Sequence, residues 1–321
     1  MFLVRAKTDV KALTLCVFLL AQTSLAQLGG TPGAFSRMGF GARGIGMGNA
    51  LTAVASGDVV GYYNPALLSW SEYRQISASF GILSLDRRLN FLSYSQPLRP
   101  SAGISAGIIN SGVSNIDGRD ADGEPTGPLK TSENEVFMSF SNRFKGGFSL
   151  GITIKLLYYH LYTDVSTTTV GLDFGFYIPI NDAIALGVTA RDVNSKYRWD
   201  TSELYGQQGT SRTWEFPQLY TIGMAYRLPD SLALVAADFE ISNKSTIMGR
   251  FGVEVPLIPE ISVRAGIDRV DLKEKGNGVK PTFGFSARKS IDDWTPAINY
   301  AFVVEPFSPS PTHIISLTVI F

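Results

Sequence analysis

The chain has 321 residues, and its 28 Lys and Arg residues balance 28 Asp and Glu residues, so the formal net charge is zero. This balance excludes the basic surface with which nucleic-acid-binding proteins displace phosphate counterions. A single Cys and two His exclude a disulfide scaffold and leave little for a metal centre. With 45 % hydrophobic residues the chain is not disordered, and a large β-rich or α/β protein or a membrane protein remains.

Residues 1–26 have the layout of a cleaved secretory signal peptide. A basic start (Arg5, Lys7, Lys11) precedes an apolar stretch at 12–21 and a small-residue cleavage site at 24–26. Cleavage there leaves a chain without Cys. No later stretch holds 18 consecutive apolar residues, so the sequence predicts an exported protein that enters a membrane only as a barrel.

The next segment, residues 27–73, lacks the alternation of a strand and is rich in glycine at its start. Gly39, Gly41 and Gly44 match the dinucleotide-binding fingerprint, but no strand precedes them as that motif requires. We therefore predict no nucleotide and no other cofactor, and interpret 27–73 as a hatch inside the barrel, where glycines let the backbone approach the wall. Pro65 favours a bend at Asn64, where the chain turns towards the first strand.

From residue 74 to 321 the chain reads as short alternating runs separated by turn residues. About ten tilted residues cross a bilayer as a strand, so fourteen such runs predict a fourteen-stranded antiparallel transmembrane β-barrel. The runs are 74–84, 88–96, 101–111, 132–143, 147–159, 166–178, 183–193, 216–228, 231–241, 246–255, 260–269, 280–289, 295–305 and 312–321.

The alternation assigns the two faces of each strand. In 147–159, Ile152 and Ile154 share one face, whereas Ser149, Thr153 and Lys155 share the other. A lipid-facing apolar band and a polar lumen explain this pattern, including the charges in mid-strand. The longest connections, 112–131, 194–215 and 270–279, fall on one end, which predicts that end to be extracellular.

Two groups of residues carry a resemblance to a known family. Residues 41–50 include Gly44, Gly46 and Gly48, and residues 63–68 include Asn64, Pro65 and Ala66. This N-terminal signature resembles that of PorV/PorQ-type proteins, which are relatives of the long-chain fatty acid transporter (FadL) superfamily. The resemblance implies a bacterial outer-membrane barrel with an inward-folded hatch. The aromatic final residue, Phe321, resembles the assembly signal of such proteins.

The resemblance leaves two functions open, and the sequence predicts the first, a component of protein secretion, with an importer as the alternative. In the type IX secretion system PorV delivers cargo proteins, which implies secretion-system proteins and cargo as partners here. Loops 112–131 and 194–215 would hold them at the outer rim, with Trp199, Tyr205 and Trp214 as aromatic anchors. The FadL branch implies instead an importer of hydrophobic small molecules. Either protein would contact outer-membrane lipid.

Catalysis and metal binding have weaker support. His160 and His313 are predicted five strands apart, roughly 20 Å along the wall at ~4.8 Å per strand, which is beyond hydrogen-bond reach. We therefore predict no catalytic site. The acidic segment 117–124 leaves calcium binding open, but its spacing is not that of an EF-hand, and Arg119 opposes the charge. A solvated loop is the simpler interpretation, and no metal site is predicted.

Overall fold

The barrel is formed by strands that pair in sequence order and close on themselves. The computed structural model describes residues 30–162, 165–273 and 278–321, so the predicted signal peptide lies outside the described residues. The strands are β1 (Gln75–Ile82), β2 (Arg87–Leu98), β3 (Ala102–Arg119), β4 (Pro125–Arg143), β5 (Ser149–Tyr162), β6 (Val165–Pro179), β7 (Ile184–Val193), β8 (Lys196–Asp200), β9 (Ser211–Glu215), β10 (Leu219–Arg227), β11 (Leu234–Ser242), β12 (Ile247–Ile258), β13 (Ile261–Asp271), β14 (Lys280–Arg288), β15 (Thr295–Val303) and β16 (Thr312–Ile320).

Within the described residues, fourteen of these strands form one closed antiparallel sheet. β7 pairs with β10, and β1 pairs with β16, which closes the ring. β8 and β9 form a separate two-stranded sheet. The predicted fold class, an all-β barrel of fourteen antiparallel strands, is confirmed.

The faces of the strands follow the predicted alternation. On β5, Ser149, Thr153 and Lys155 point into the lumen and are buried, whereas Ile154 and Leu156 are 54 % and 48 % exposed on the outside. The inward positions of other strands are mainly small polar residues, which leave room in the lumen: Ser77, Ser79, Ser105, Ser139, Ser141, Thr189, Thr221, Thr282, Ser286, Ser316 and Thr318.

The outer surface carries an apolar band. Large hydrophobic side chains at alternating positions are exposed there: Ile76, Phe80, Leu92, Ile108, Val136, Met138, Phe140, Val170, Phe174, Val188, Ile222, Phe251, Phe283, Phe285, Ile298, Ile315 and Leu317. In water, an exposed surface this apolar would aggregate, whereas hydrocarbon accommodates it. No helix in the described part of the chain is long and apolar enough to cross a membrane.

The prediction that 112–131 is a loop is wrong. β3 runs to Arg119 and β4 starts at Pro125, so most of this segment continues the ladder, with Ile116 opposite Leu129. Turn-forming residues cluster only at 120–123, where Asp120 accepts hydrogen bonds from the backbone N–H groups of Asp122 and Glu124. The chain therefore keeps pairing beyond the barrel rim until that turn.

The prediction that 194–215 is an irregular loop is also wrong in part. It holds the β8–β9 hairpin, whose tip is a short helix, Ser202–Tyr205. The connection from β7 to β10 is nonetheless the longest between consecutive described barrel strands, and it lies at the end predicted to be extracellular. We call this the long-loop end, and the opposite end, with the tight turn between Ile258 and Ile261, the short-turn end.

Candidate functional site in the plugged lumen

Residues 30–73, which we call the hatch, fill the barrel lumen. They form a 3₁₀ helix (Ala34–Arg37), helix α1 (Ala42–Gly46), helix α2 (Val60–Tyr63) and a second 3₁₀ helix (Pro65–Trp70). Most hatch residues from Phe35 to Ser69 are buried. Four short helices joined by turns thus occupy the space that the small inward side chains leave.

Three cross-strand glycine pairs on the wall receive the hatch. Gly151 pairs with Gly175, Gly187 with Gly223, and Gly252 with Gly266. A β-carbon on any of these six glycines would overlap the hatch, at Pro65–Ala66 for the first pair, Thr52 for the second and Met47–Gly48 for the third. The wall therefore lacks side chains where the hatch backbone approaches it.

Asn64 joins the hatch to itself and to the wall. Its Nδ2 donates to the carbonyl oxygens of Thr52 (2.9 Å) and Phe176 (3.0 Å), and its Oδ1 accepts from the N–H of Ala66 (3.0 Å). The side chain is fully buried. Pro65 occupies the first position of the second 3₁₀ helix, where no backbone donor is needed. The Asn-Pro-Ala sequence therefore starts this helix and fastens it to β6.

The glycines of the signature lie at close contacts. A β-carbon on Gly44 would overlap the Tyr63 hydroxyl, and one on Gly46 would come within 3.3 Å of the Gly284 Cα. Gly48 has a φ of +62° and packs against the Phe251 carbonyl oxygen. The predicted role of these glycines as hatch residues remains a proposal, and these contacts support it.

Arg43 anchors α1 to β12. Its Nε and Nη2 donate to the two carboxylate oxygens of Glu254, each at 2.8 Å, and its Nη1 donates to the Ser56 carbonyl oxygen at 2.6 Å. Arg264 of β13 also donates to Glu254. One carboxylate thus contacts two guanidinium groups, and all three side chains are largely shielded from solvent.

A second charged cluster lies on the β5–β7 wall. Lys155 Nζ is 2.7 Å from Asp173 and 2.5 Å from Asp192, and all three side chains are at most 7 % exposed. Arg37 of the hatch reaches Asp192 at 3.4 Å, and the Arg191 guanidinium lies 4.7 Å from the Tyr62 ring centroid. These contacts were missed at the sequence level. Charges at inward positions of strands were the signal that could have indicated them.

A cavity of about 360 Å³, which we call the outer pocket, opens at the long-loop end between the hatch and the wall. One part of its lining is apolar: Phe35, Met38, Ile45, Leu83, Leu89, Val303 and Ile314. The other part is charged: Arg37, Arg87, Arg269, Lys280, Glu133, Asp268 and Glu305. Its volume is in the range of small-molecule sites.

A larger cavity of about 740 Å³, which we call the inner pocket, lies at the short-turn end. The hatch segment 53–57 and the aromatic residues Trp70, Tyr73 and Tyr177 form part of its lining. The hatch separates the two pockets, so neither is a continuous channel.

The three predicted aromatic anchors are placed differently. Trp199 is 5 % exposed and packs against Tyr159 and Tyr197. Tyr205 and Trp214 are 64 % and 49 % exposed on the β8–β9 hairpin. Trp199 therefore belongs to the packing beneath the hairpin, and only Tyr205 and Trp214 present their rings to solvent.

The remaining predicted residues lie apart from the pockets' charged groups. His313 lies on the outer face of β16, where its Nδ1 shares a hydrogen bond of 2.7 Å with the Tyr300 hydroxyl, and His160 lies on β5. Phe321 stacks on Trp294 beside the short-turn end. In the described residues, no group of three or more His, Cys, Asp or Glu side chains could hold a metal ion, and Asp117 pairs with Arg119.

The described residues thus form a closed fourteen-stranded barrel whose lumen is filled by the segment that precedes it, and its structural neighbours are fourteen-stranded outer-membrane barrels of the FadL family. The chain resembles the Pseudomonas putida toluene transporter TodX (TM-score 0.62, 14 % identity, 88 % of this chain and 96 % of that chain). It also resembles the monoaromatic hydrocarbon channel CymD (0.61, 12 %, 88 % and 97 %) and a Pseudomonas aeruginosa FadL homologue (0.57, 12 %, 86 % and 96 %).

At these identities the likeness shows the fold alone. No family model matches the chain, and no curated protein matches it. The fold that the chain shares with these barrels is thus shown, while the resemblance to PorV and PorQ rests on the N-terminal signature.

Proposed function

We propose that this protein is an outer-membrane importer of small hydrophobic molecules, which bind first in the outer pocket. The observation that carries the proposal is the outer pocket itself, which combines an apolar wall with charged groups directly above the hatch. The structural neighbours support it, because they are a toluene transporter and a monoaromatic hydrocarbon channel. The proposal places the barrel in the outer membrane, with the long-loop end outside and the pocket open to the surroundings.

The lining of the outer pocket indicates which residues contact the apolar body of a ligand and which contact its polar group. Phe35, Ile45 and Ile314 remove the apolar body of a ligand from water, at about 25 cal/mol per Å² buried. Among the described residues, Arg87 at the mouth hydrogen-bonds only to Ser84, through Nε and Nη2. It is therefore the cation that a polar or anionic group on the ligand would meet first.

The experiment is uptake of radiolabelled toluene by a heterologous host that lacks such a transporter. Expression of the protein should raise the initial rate above that of the empty host. Ala34, which lines the outer pocket, provides a matched pair of variants. Ala34→Trp fills the pocket and should remove at least four-fifths of the gain, whereas Ala34→Ser should keep it. A folded protein that gives no gain, or a folded Ala34→Trp variant that transports normally, would contradict the proposal.

A second candidate function, binding of secretion partners or cargo at the outer rim, has one observation in its favour. Tyr205 and Trp214 expose large rings on the β8–β9 hairpin at the long-loop end. Aromatic side chains of this kind carry much of the energy of protein interfaces. Co-purification from the native membrane should recover type IX secretion subunits, and a double variant with Tyr205→Ser and Trp214→Ser should lose them, whereas Leu232→Ser at the short-turn end should not.

A further inference from the structure

A third cavity lies between the two pockets, along the wall of β7, β10, β11 and β12. Its volume is about 30 Å³, enough for one water molecule. Arg37 and Asn49 line both this cavity and the outer pocket. At its other side lies Thr52, whose neighbour Ala53 lines the inner pocket. The turn that holds Thr52 and Ala53 therefore lies between this cavity and the inner pocket.

The contact between Thr52 and Asp238 holds this turn to β11. The N–H and Oγ1 of Thr52 donate to Asp238 Oδ2, at 3.2 and 2.6 Å. Asp238 is 5 % exposed, and its Oδ1 has no hydrogen-bond partner among the described residues. A buried carboxylate oxygen without a partner is costly, so this oxygen indicates that a water molecule or a polar group of a solute is held here.

Backbone atoms of the hatch cover all three glycine pairs, but at Gly187 these atoms, the Thr52 carbonyl oxygen and the Ala53 Cα, belong to a turn. At the other two pairs the covering atoms lie at helices, the Met47 carbonyl oxygen at Gly252 and the Ala66 N–H at Gly151. Met47 caps α1, and Ala66 belongs to the second 3₁₀ helix, so a gap at either position would need a helix to move. Thr52 lies in a turn outside the helices, and its contact with β11 is made through the Asp238 side chain.

We propose that solute crosses the barrel between the Thr52 turn and the β10–β11 wall, with the Thr52–Asp238 contact as the gate. This inference rests on the proposed importer function. The lining of the third cavity offers both hydrogen-bond acceptors (Asp238, Glu240) and donors (Arg191, Arg250, Arg37). The route therefore suits a small solute that has an apolar body and a polar head with both donors and acceptors, because such a head replaces the hydrogen bonds that opening breaks.

The test is a reversible cross-link at the gate. Thr52→Cys with Asp238→Cys are joined by a short thiol-specific reagent that reductant removes. The predicted mature chain has no Cys, so the pair reacts alone. The control is a matched Thr–Asp contact on β16, five strands from β11 around the barrel, where Thr318 Oγ1 donates to Asp58 Oδ2 at 2.9 Å. Asp58→Cys with Thr318→Cys ties the same hatch to β16. Purified variants are placed in liposomes, and influx of radiolabelled phenylalanine is measured.

We expect the Thr52–Asp238 cross-link to lower influx at least ten-fold and reductant to restore it, while the Asp58–Thr318 cross-link leaves influx within two-fold. If the gate cross-link has no effect, or if both cross-links block equally, the route is wrong although the importer function stands. If the wild-type protein passes neither phenylalanine nor toluene, the importer function fails as well. Thr52→Ala, which removes only the Oγ1 bond, gives a second test. It should raise influx about two-fold or more, and a folded variant with unchanged influx would contradict the gate.

Discussion

Arg43 and Glu254 form two parallel hydrogen bonds of 2.8 Å that join the hatch to strand β12 inside the barrel. This fork geometry is the strongest arrangement that an arginine and a carboxylate can make. Because Arg264 donates to the same carboxylate, removal of Glu254 would leave two guanidinium groups close together without their counter-charge. Glu254 therefore bridges a hatch arginine and a wall arginine and offsets their mutual repulsion.

Glu254→Ala should loosen the hatch. Breaking a buried pair by removing one partner costs about 3–5 kcal/mol. The variant should lose its folded, fast-migrating form on an unheated denaturing gel at a temperature several degrees below that of the wild type. Arg119→Ala removes an exposed pair with Asp117 and should leave this temperature unchanged. Equal melting of wild type and Glu254→Ala would show that the pair does not hold the hatch.

Gly252→Ala should displace the hatch, because the new β-carbon would overlap the Met47 carbonyl oxygen. Gly249 on the same strand provides the control, since a β-carbon there meets its nearest neighbour, Leu272, at an ordinary 3.6 Å. We expect limited proteolysis to cut the hatch of Gly252→Ala faster than that of Gly249→Ala by at least five-fold. Matching cleavage rates would mean that the wall can yield at this position.

Ile154→Arg should impair membrane insertion, because this side chain is 54 % exposed on the apolar outer band. An arginine near the bilayer midplane of a barrel costs about 2–4 kcal/mol. Leu232→Arg lies in the turn between β10 and β11 at the short-turn end and should cost much less. The measurement is folding yield into lipid vesicles. Similar yields for the two variants would contradict the assignment of β5's outer face.

The alternation of residue types predicts the barrel well because each strand has one lipid face and one lumenal face. Ile154 and Thr153 differ in burial as their chemistry requires. The ends of β3 and β4 were not predictable in this way, since residues 112–131 leave the bilayer and lose the constraint that produces alternation. Backbone pairing, which depends little on side-chain type, carries that ribbon onward to the turn at Asp120.

The site was less predictable than the fold. Asn64 and the signature glycines are visible in the sequence, but the contacts that fasten them to the barrel wall join residues more than 100 positions apart, as with Asn64 and Phe176. Trp199 and Trp214 have the same chemistry and lie in one predicted loop, yet only Trp214 is exposed. Their difference depends on which face of the hairpin turns towards Tyr159, and sequence spacing alone does not determine that.

The central claim is that the hatch closes the lumen, and ion conductance tests it most directly. In a variant that lacks residues 30–60, the strand ladder still closes the barrel, and water entering the lumen solvates Glu254 and Asp192, which have lost Arg43 and Arg37. In planar bilayers the full-length protein should be nearly silent, and the deletion variant should show large, stable open channels. A folded deletion variant that remains silent, or a full-length protein that conducts equally, would contradict the account.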